Sequence, residues 1–102
     1  MVLSGHEHSY ERFARQTPWA KADWWGLRQF VVGTGGVGLL GFTAPKPNSQ
    51  VRIGDTHGVL KLVLHPASYQ WRFIAEDGAV LDRGGPVACH RGAQTDLPAT
   101  IG

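Results

Sequence analysis

The most regular alternation of hydrophobic and polar residues lies in the second half of the chain. Leu60, Leu62 and Leu64 share one face of an extended segment, while Lys61 and His65 fall on the other. A period of two residues is the pattern of a half-buried β-strand, because successive side chains of a strand point to opposite sides. The pattern therefore predicts a strand that starts near the glycine before this segment.

A second alternating segment follows after a short turn at residues 66–68. There Tyr69, Trp71 and Phe73 share one face, and the polar residues between them take the other. Two alternating segments joined by a short turn are typical of a β-hairpin, in which side chains on the same face pack across the strands. We therefore expect the three aromatic side chains to belong to the core.

Shorter segments predict three further strands and a turn. Residues 2–4 are expected to form the end of a buried strand, residues 29–32 a second clear strand, and residues 80–81 a short final one. The sequence Glu-Asp-Gly at 76–78 predicts a turn. From Gly84 onward the chain is rich in Gly, Pro, Thr and Ala, and we expect it to fray.

The remaining segments predict loops. We expect a polar loop over residues 6–12, an irregular excursion over 13–27 with a short helical turn near 20–24, and an exposed loop over 44–50. Residues 33–41 are rich in glycine and suit tight turns. The predicted fold class is α+β, with mostly antiparallel β-structure and little helix.

Composition narrows the classes of function. A chain of 102 residues with 42% hydrophobic residues makes one small domain or a piece of a larger one. The formal net charge is only +2 and there is no basic run, so we expect no nucleic acid as a partner. No apolar run approaches the roughly 20 residues of a spanning helix, so we expect no membrane either. The single cysteine, Cys89, excludes an internal disulfide.

The best candidate for chemistry is the His-x-His pair of His6 and His8. Both imidazoles follow directly after a predicted strand, where they can turn toward one metal centre, and neutral imidazole is the commonest metal ligand in proteins. The spacing alone is also compatible with two solvated surface histidines. The spacing of two residues therefore does not distinguish a metal site from a pair of surface histidines.

The residues around this pair form a longer pattern. The run Gly-His-Glu-His-Ser-Tyr-Glu-Arg at residues 5–12 resembles the last signature of the calcineurin-like metallophosphoesterases, in the form found in purple acid phosphatases and their bacterial relatives. Later segments agree in order: residues 30–36, 57–62 and 69–73, then Asp82 and Cys89. The resemblance covers about residues 2–90, and the eight residues of the run are its specific part.

The resemblance implies roles for individual residues of this run. It implies that His6 and His8 each help to hold one ion of a dinuclear site, and that Gly5 lets the backbone turn sharply so that both rings face inward. Four residues match the motif as outer support of the metal ligands: Gly5, Tyr10, Glu11 and Arg12. A Glu–Arg pair beside metal ligands can fix the orientation of the rings. The alternative for the last three is an ordinary surface ion pair and a packed tyrosine.

The resemblance also implies a reaction and its cofactors. Two divalent or trivalent ions, Zn, Fe or Mn, would share a hydroxide that attacks the phosphorus of a phosphate ester, while the ions neutralise the developing charge. The implied fold is a four-layer α/β/β/α sandwich. This chain would give chiefly the β half of that sandwich.

The family places several further motifs before this run, whereas only five residues precede His6 here. These motifs are an Asp-x-His, a Gly-Asp-x-x-(Asp or Tyr), a Gly-Asn-His and a further His. A Gly-Asn-His occurs nowhere in this sequence, because Asn48 is the sole asparagine and no histidine follows it. We therefore expect residues 1–90 to be the C-terminal portion of a metallophosphoesterase domain, whose N-terminal part is the missing partner. Residues 91–102 are expected to form a flexible tail. Relatives of this type are often exported, which suggests a secreted or periplasmic protein.

Two segments match other motifs by coincidence. Residues 54–58 spell Gly-Asp-Thr-His-Gly, the first signature of the same family, but strand alternation follows where a helix is required. We expect Asp55 to be a turn residue and His57 to lie at the edge of a strand. The glycines at 33, 35 and 38 match a dinucleotide fingerprint, but Gly41, Pro45 and Pro47 prevent the helix that would meet a pyrophosphate.

Weaker candidates complete the inspection of the sequence. We expect Trp19, Trp24 and Trp25 to lie in the core, with the lining of a substrate cleft as the alternative. Cys89 and His90 could join the two histidines in a structural zinc site, although adjacent residues rarely direct both side chains at one ion. The main alternative to the phosphatase is a non-catalytic, stand-alone β domain that binds a metal or a partner weakly.

Overall fold

The computed structural model of the protein describes residues 1–42 and 44–89. Within these ranges the chain forms strands, turns and loops, and no helix. The strands are β1 (Val2–Ser4), β2 (Tyr10–Phe13), β3 (Gln29–Val32), β4 (Ser49–Ile53), β5 (Gly58–Leu64), β6 (Ser68–Ala75) and β7 (Val80–Ala88). The tail expected over residues 91–102 lies outside the described residues.

The seven strands form two sheets. The first sheet has the order β1-β3-β2-β4, in which β1 runs parallel to β3 and the other neighbours are antiparallel. The second sheet is the antiparallel meander β5-β6-β7. The prediction of mostly antiparallel β-structure is therefore confirmed.

An aromatic core joins the two sheets. Tyr10 of β2 stacks on Phe73 of β6 with 4.2 Å between ring centroids, and Phe30 of β3 meets the edge of Trp71 at 5.4 Å. Tyr69 completes this cluster of buried rings. Each strand contributes every second side chain, because alternate residues of a strand face the same side. Aromatic pairs in these geometries add about 0.5–1.5 kcal/mol beyond the area they bury.

The predicted hairpin is confirmed in both strands and in its buried face. In the register of β5 and β6, Leu60 pairs with Phe73 and Leu62 pairs with Trp71, and both leucines pack against the aromatic core. Leu64, the last residue of β5, shares their face by periodicity and pairs with Tyr69, but it is 68% exposed. The expected strand at 29–32 is also confirmed as β3, residue for residue.

Four expectations about local structure are wrong. Residues 10–13 form β2, a central strand, rather than part of a loop, and residues 49–53 form β4 rather than the end of one. Near residues 20–24 the chain has no helical turn but two hydrogen-bonded turns, in which Ala20 N donates to Thr17 O and Gly26 N donates to Asp23 O. Strand β1 exists as expected, but the expectation that it is buried is wrong: it is exposed, because it is the edge strand of its sheet.

Strand β7 continues well past the point where fraying was expected. It runs to Ala88, and beyond Gly84 it still pairs with β6: Val87 lies opposite Tyr69 and Ala88 opposite Ser68. Gly84 is required there, because a Cβ at this position would lie 2.2 Å from the Cζ2 atom of Trp71. A glycine in a strand often marks such a close approach rather than the end of the strand.

Candidate functional site

The two candidate metal ligands lie in the loop between β1 and β2. Because β1 and β3 are parallel neighbours, their carboxyl ends meet at one edge of the first sheet, and the segments that follow them lie together. The backbone N–H of Gly33, just after β3, donates to Ser9 O at 3.0 Å, and Leu40 N donates to His8 O at 3.0 Å. The loop that carries His6 and His8 is thus fastened to the glycine-rich segment 33–41.

The close contact between the histidine loop and the segment 33–41 requires a glycine at position 33. A Cβ built on Gly33 would lie 2.0 Å from the backbone oxygen of Glu7, far inside the distance at which two atoms can coexist. The contact is with backbone, so a flexible side chain cannot move aside. Gly33 is therefore needed for the close approach of the two loops.

We expect Gly33→Ala to destabilise the fold by about 1–3 kcal/mol, the usual cost of overpacking a well-packed site. The matched control is Gly35→Ala, because a Cβ at Gly35 meets nothing within 4 Å. Urea unfolding of both variants measures the difference. Equal stability of the two variants would show that the loops separate without cost.

The sharp turn of the histidine loop occurs at His6 itself. His6 adopts a φ of +77°, in the left-handed region, whereas Gly5 does not. A Cβ at Gly5 would make only an ordinary 3.6 Å contact with Val32 O. The turn implied for Gly5 by the resemblance is thus made one residue later. A side-chain-bearing residue in this conformation costs of order 1 kcal/mol, and such residues cluster at functional sites.

His8 is half-buried and its ring is oriented by the backbone. Its Nδ1 lies 2.8 Å from the carbonyl oxygen of Gly38. A carbonyl oxygen can only accept, so Nδ1 carries the hydrogen and the lone pair of the neutral ring is on Nε2. A histidine that ligates a metal almost always donates its other ring N–H in this way.

His57 holds the same glycine-rich segment from the other sheet. Its Nε2 donates to the carbonyl oxygen of Val37 at 2.9 Å, one residue before the carbonyl that His8 uses. His57 precedes β5 directly, and Asp55 is an exposed residue whose Oδ1 accepts a hydrogen bond from the Thr56 hydroxyl. The strand after this motif is confirmed, so the helix that the first family signature requires does not follow here.

Tyr10 and Arg12 of the signature point between the two sheets and meet Asp82 of β7. The Tyr10 hydroxyl donates to Asp82 Oδ2 at 2.6 Å, and Arg12 donates to the same carboxylate through Nε at 2.8 Å and Nη2 at 3.2 Å. Arg12 also lies over the ring of Trp71, 5.3 Å from its centroid. This cluster of Tyr10, Arg12 and Asp82, here called the inter-sheet network, fastens the first sheet to the second.

The expected pairing of Glu11 with Arg12 does not form. Adjacent residues of a strand point to opposite faces, so Glu11 lies on the other side of β2. There it is buried and accepts a hydrogen bond from the Ser49 hydroxyl at 2.6 Å. The sequence offered one signal for the true arrangement: Tyr10 and Arg12 are two residues apart and so share a face.

Burial and hydrogen bonding set the ionisation of the inter-sheet network. Burial by itself disfavours the charged form of Asp82, but the hydrogen bonds from Arg12 and Tyr10 outweigh it and hold the pKa of Asp82 below its usual value. For Tyr10, burial raises the pKa far above its usual value, and the bond to the Asp82 carboxylate raises it further. The network therefore holds an ionised aspartate and a neutral tyrosine at neutral pH.

The three tryptophans of the first half are not core residues. Trp19 is 85% exposed, and Trp24 and Trp25 are also exposed, so the expectation of a core role is wrong. Trp25 lines a groove of about 610 Å³ together with Val2 and Leu27. The guanidinium of Arg15 stacks on Trp24 at 4.0 Å. The alternative role in a cleft stays a prediction.

The described residues bring together no group of three or more His, Cys, Asp or Glu side chains able to hold a metal ion. Cys89 is exposed with a free thiol, and His90 lies outside the described ranges, so the four-donor zinc site stays a prediction. In residues 1–42 and 44–89, no helix is long and apolar enough to cross a membrane.

The chain was compared with protein-family models, curated proteins and solved structures. No protein-family model, no curated protein and no solved structure matches this chain.

Proposed function

We propose that this chain is the C-terminal part of a dinuclear metal-dependent phosphatase, to which it contributes two metal ligands, His6 and His8. The observation that carries the proposal is the orientation of His8. Its Nδ1–H is fixed on the Gly38 carbonyl, so that Nε2 presents a lone pair in the manner of a ligating histidine. The Gly-His-x-His-x-Tyr-Glu-Arg sequence at residues 5–12 supports the same function.

The two histidines are chemically suitable ligands for such metal ions. Neutral imidazole suits Zn, Fe and Mn, and His6 stands two residues from His8 in a loop that backbone hydrogen bonds hold against the glycine-rich segment 33–41. A pair of ions would supply an activated nucleophile and neutralise charge on a phosphate ester. In this proposal His6 and His8 bind and orient the ions, and Gly33, Gly38 and Leu40 hold the loop in place.

The proposal requires further ligands from the preceding part of the same domain. A dinuclear site needs more donors than the two histidines, and the described residues bring no third donor beside them. In the proposed α/β/β/α sandwich, the two sheets of this chain belong to the two central layers. The helical layers and the remaining ligands would belong to the missing N-terminal part.

The first test is the DNA sequence upstream of the Met1 codon. We expect an open reading frame, in frame, that encodes Asp-x-His, Gly-Asp-x-x-(Asp or Tyr) and Gly-Asn-His. Such a frame would supply the carboxylates and histidines that two ions require. A stop codon directly upstream would contradict the phosphatase proposal.

The isolated chain is expected to lack phosphatase activity. Two imidazoles without a bridging carboxylate cannot hold a pair of ions. The measurement is hydrolysis of an aryl phosphate by the purified 102-residue chain with Zn, Fe or Mn, against buffer with the same metal. Metal-dependent turnover well above that background would contradict the expectation and would show that residues of this chain complete the site.

The second candidate function is a non-catalytic β domain that binds a metal or a partner weakly. The absence of a three-donor group in the described residues favours it. The two candidates differ in the reading frame upstream, and also in metal stoichiometry. A domain of this kind would bind at most one ion per chain, whereas the complete phosphatase would bind two.

A further inference from the structure

Packing contributes little to holding residues 35–38, which form the middle of the glycine-rich segment. All four residues are exposed, and the Val37 side chain is 59% exposed. A Cβ built on Gly35, Gly36 or Gly38 would meet nothing within 4 Å, so no neighbour lies against the backbone there. The directions of the carbonyl groups in this stretch must therefore be fixed by hydrogen bonds.

Two imidazole rings make these hydrogen bonds. His57 Nε2 donates to the Val37 carbonyl oxygen at 2.9 Å, and His8 Nδ1 donates to the next carbonyl oxygen, that of Gly38, at 2.8 Å. Within the part of the chain that the structure describes, residues 35–38 take part in no other hydrogen bond. The two rings thus hold adjacent carbonyl groups of one exposed stretch of backbone.

The backbone at His57 is itself firmly held. The carbonyl oxygen of His57 accepts a hydrogen bond from Glu76 N at 3.0 Å. The next residue, Gly58, exchanges two hydrogen bonds with Thr34: Gly58 N donates to Thr34 O at 3.1 Å, and the Thr34 hydroxyl donates to Gly58 O at 2.9 Å. Thr34 is 1% exposed, so this exchange is shielded from water. The ring of His57 therefore extends from backbone that is bonded to both sheets.

The hydrogen bond of His57 limits where the Gly38 carbonyl can lie. The carbonyl of Val37 and the Cα of Gly38 belong to one planar peptide unit, so a bond that fixes the first also fixes the second. Gly38 is conformationally permissive, and without this bond the chain before it would leave its carbonyl free to turn. His8 would then lose the fixed acceptor for its Nδ1–H.

We propose that His57 is a positioning residue of the metal site, which holds the Gly38 carbonyl where it orients the ring of His8 for metal binding. The inference rests on the proposed function, because His8 is a metal ligand only there. A ligating histidine needs its other ring N–H bonded to a fixed acceptor, which keeps the lone pair on the nitrogen that faces the metal. Here the acceptor lies in an exposed stretch, and His57 gives it the support that packing does not.

His57 acts through the backbone and is not a third ligand. The described residues bring no third His, Cys, Asp or Glu side chain beside His6 and His8, and Nε2 of His57 is taken up by the Val37 carbonyl. Asp55 of the same Gly-Asp-Thr-His-Gly motif is exposed and accepts a hydrogen bond from its neighbour in the chain. In this proposal the motif therefore supports a ligand of the histidine loop and binds no metal itself.

The experiment compares two amide side chains at position 57 in the 102-residue chain. In His57→Gln the amide nitrogen is as many bonds from Cβ as Nε2 of histidine is, so it can still donate to the Val37 carbonyl. In His57→Asn the amide nitrogen is one bond closer to the backbone and does not reach. The measurement is nuclear magnetic resonance of the nitrogen atoms of the His8 ring, which distinguishes the nitrogen that carries hydrogen from the one that does not.

We expect His8 to carry its hydrogen on Nδ1 in the parent and in His57→Gln. In His57→Asn the Nδ1–H tautomer should fall by roughly 2- to 10-fold relative to the other tautomer, the factor that one net hydrogen bond contributes. In the complete phosphatase, titration of the metal-free enzyme with Zn²⁺ should show binding about 10–100-fold weaker in His57→Asn, the usual cost of losing an outer support of a ligand. His57→Gln should recover this affinity.

The matched control is His65→Asn, the same change at the other end of β5. His65 is exposed, and in the described part of the chain its ring makes no hydrogen bond, so the His8 tautomer should stay as in the parent. Thermal unfolding of every variant separates a local change from loss of the fold. If His57→Asn melts lower than the parent, His57→Leu gives the same comparison, because leucine fills similar space and cannot donate.

Four results would overturn the proposal. They are an unchanged His8 tautomer in both His57→Asn and His57→Leu, an equal change in folded His57→Gln, an equal change in His65→Asn, and unchanged Zn²⁺ affinity of the complete enzyme in His57→Asn. None of them bears on whether His8 is a ligand. Conversely, a stop codon upstream of Met1 would contradict the phosphatase proposal and leave the tautomer of His8 in the isolated chain as expected, so the two failures are distinguishable.

Discussion

Asp82→Ala is expected to destabilise the fold by about 3–5 kcal/mol, the usual cost of removing one partner of a buried ion pair. The change leaves Arg12, whose side chain is 15% exposed, without its carboxylate, and leaves the Tyr10 hydroxyl without its acceptor. A domain of this size has a total stability of about 5–15 kcal/mol, so the loss is a large share. Urea or thermal unfolding of the purified chain measures it.

The control for this change is Asp55→Ala. Asp55 is exposed and its carboxylate accepts a hydrogen bond only from the neighbouring Thr56 hydroxyl, so we expect a loss within about 0.5 kcal/mol. If Asp82→Ala were as mild as this control, the inter-sheet network would contribute nothing to the packing of the sheets.

The same network predicts how stability changes with pH. The native pKa of Asp82 lies below its usual value, so its contribution is present above the unfolded pKa of about 3.9 and disappears as pH falls through the lower native pKa. The stability difference between the parent and Asp82→Ala should therefore stay constant at neutral pH and close below about pH 4. The pKa of Tyr10 is raised instead, so its contribution is lost on the alkaline side, above about pH 10.

His8→Ala is expected to remove one of the two ions and most of the activity of the complete phosphatase. A ligand contributes directly to metal affinity, so the loss should be at least about 100-fold, the upper end of what the loss of a supporting residue costs. The measurement combines metal content by elemental analysis with hydrolysis of an aryl phosphate. His6→Ala should behave alike, because the two histidines are proposed to serve the same site.

The matched control is His65→Ala. His65 is exposed at the end of β5, and its backbone N–H, not its ring, pairs with Ser68 O. It should keep two ions and full turnover. Two ions and full turnover in His8→Ala as well would show that His8 is not a ligand, and the orientation of its ring on Gly38 would then be structural only.

Periodicity along the chain was enough to predict the hairpin of β5 and β6. Leu60 and Leu62 on one side and Trp71 and Phe73 on the other alternate with polar residues, because one face of this sheet is buried and the other is wet. Strand β4 also alternates between apolar and polar residues, with Val51 and Ile53 on one face. This pattern is short and follows a proline-rich segment, so a loop was expected there instead. Central strand β2 showed no alternation, because Glu11 is buried between Val31 and Arg52 of the neighbouring strands and accepts a hydrogen bond from the Ser49 hydroxyl.

The sequence by itself determined the antiparallel hairpin, the aromatic core face and the position of the His-x-His loop directly after a strand. These features depend on residues close together in the chain, whose spacing fixes the face on which each side chain lies. Only the tertiary structure decided that Asp82 joins Tyr10 and Arg12, which are 72 and 70 residues away in the chain. It also decided that His8 donates to Gly38, 30 residues away, since such contacts depend on how two sheets and two loops pack.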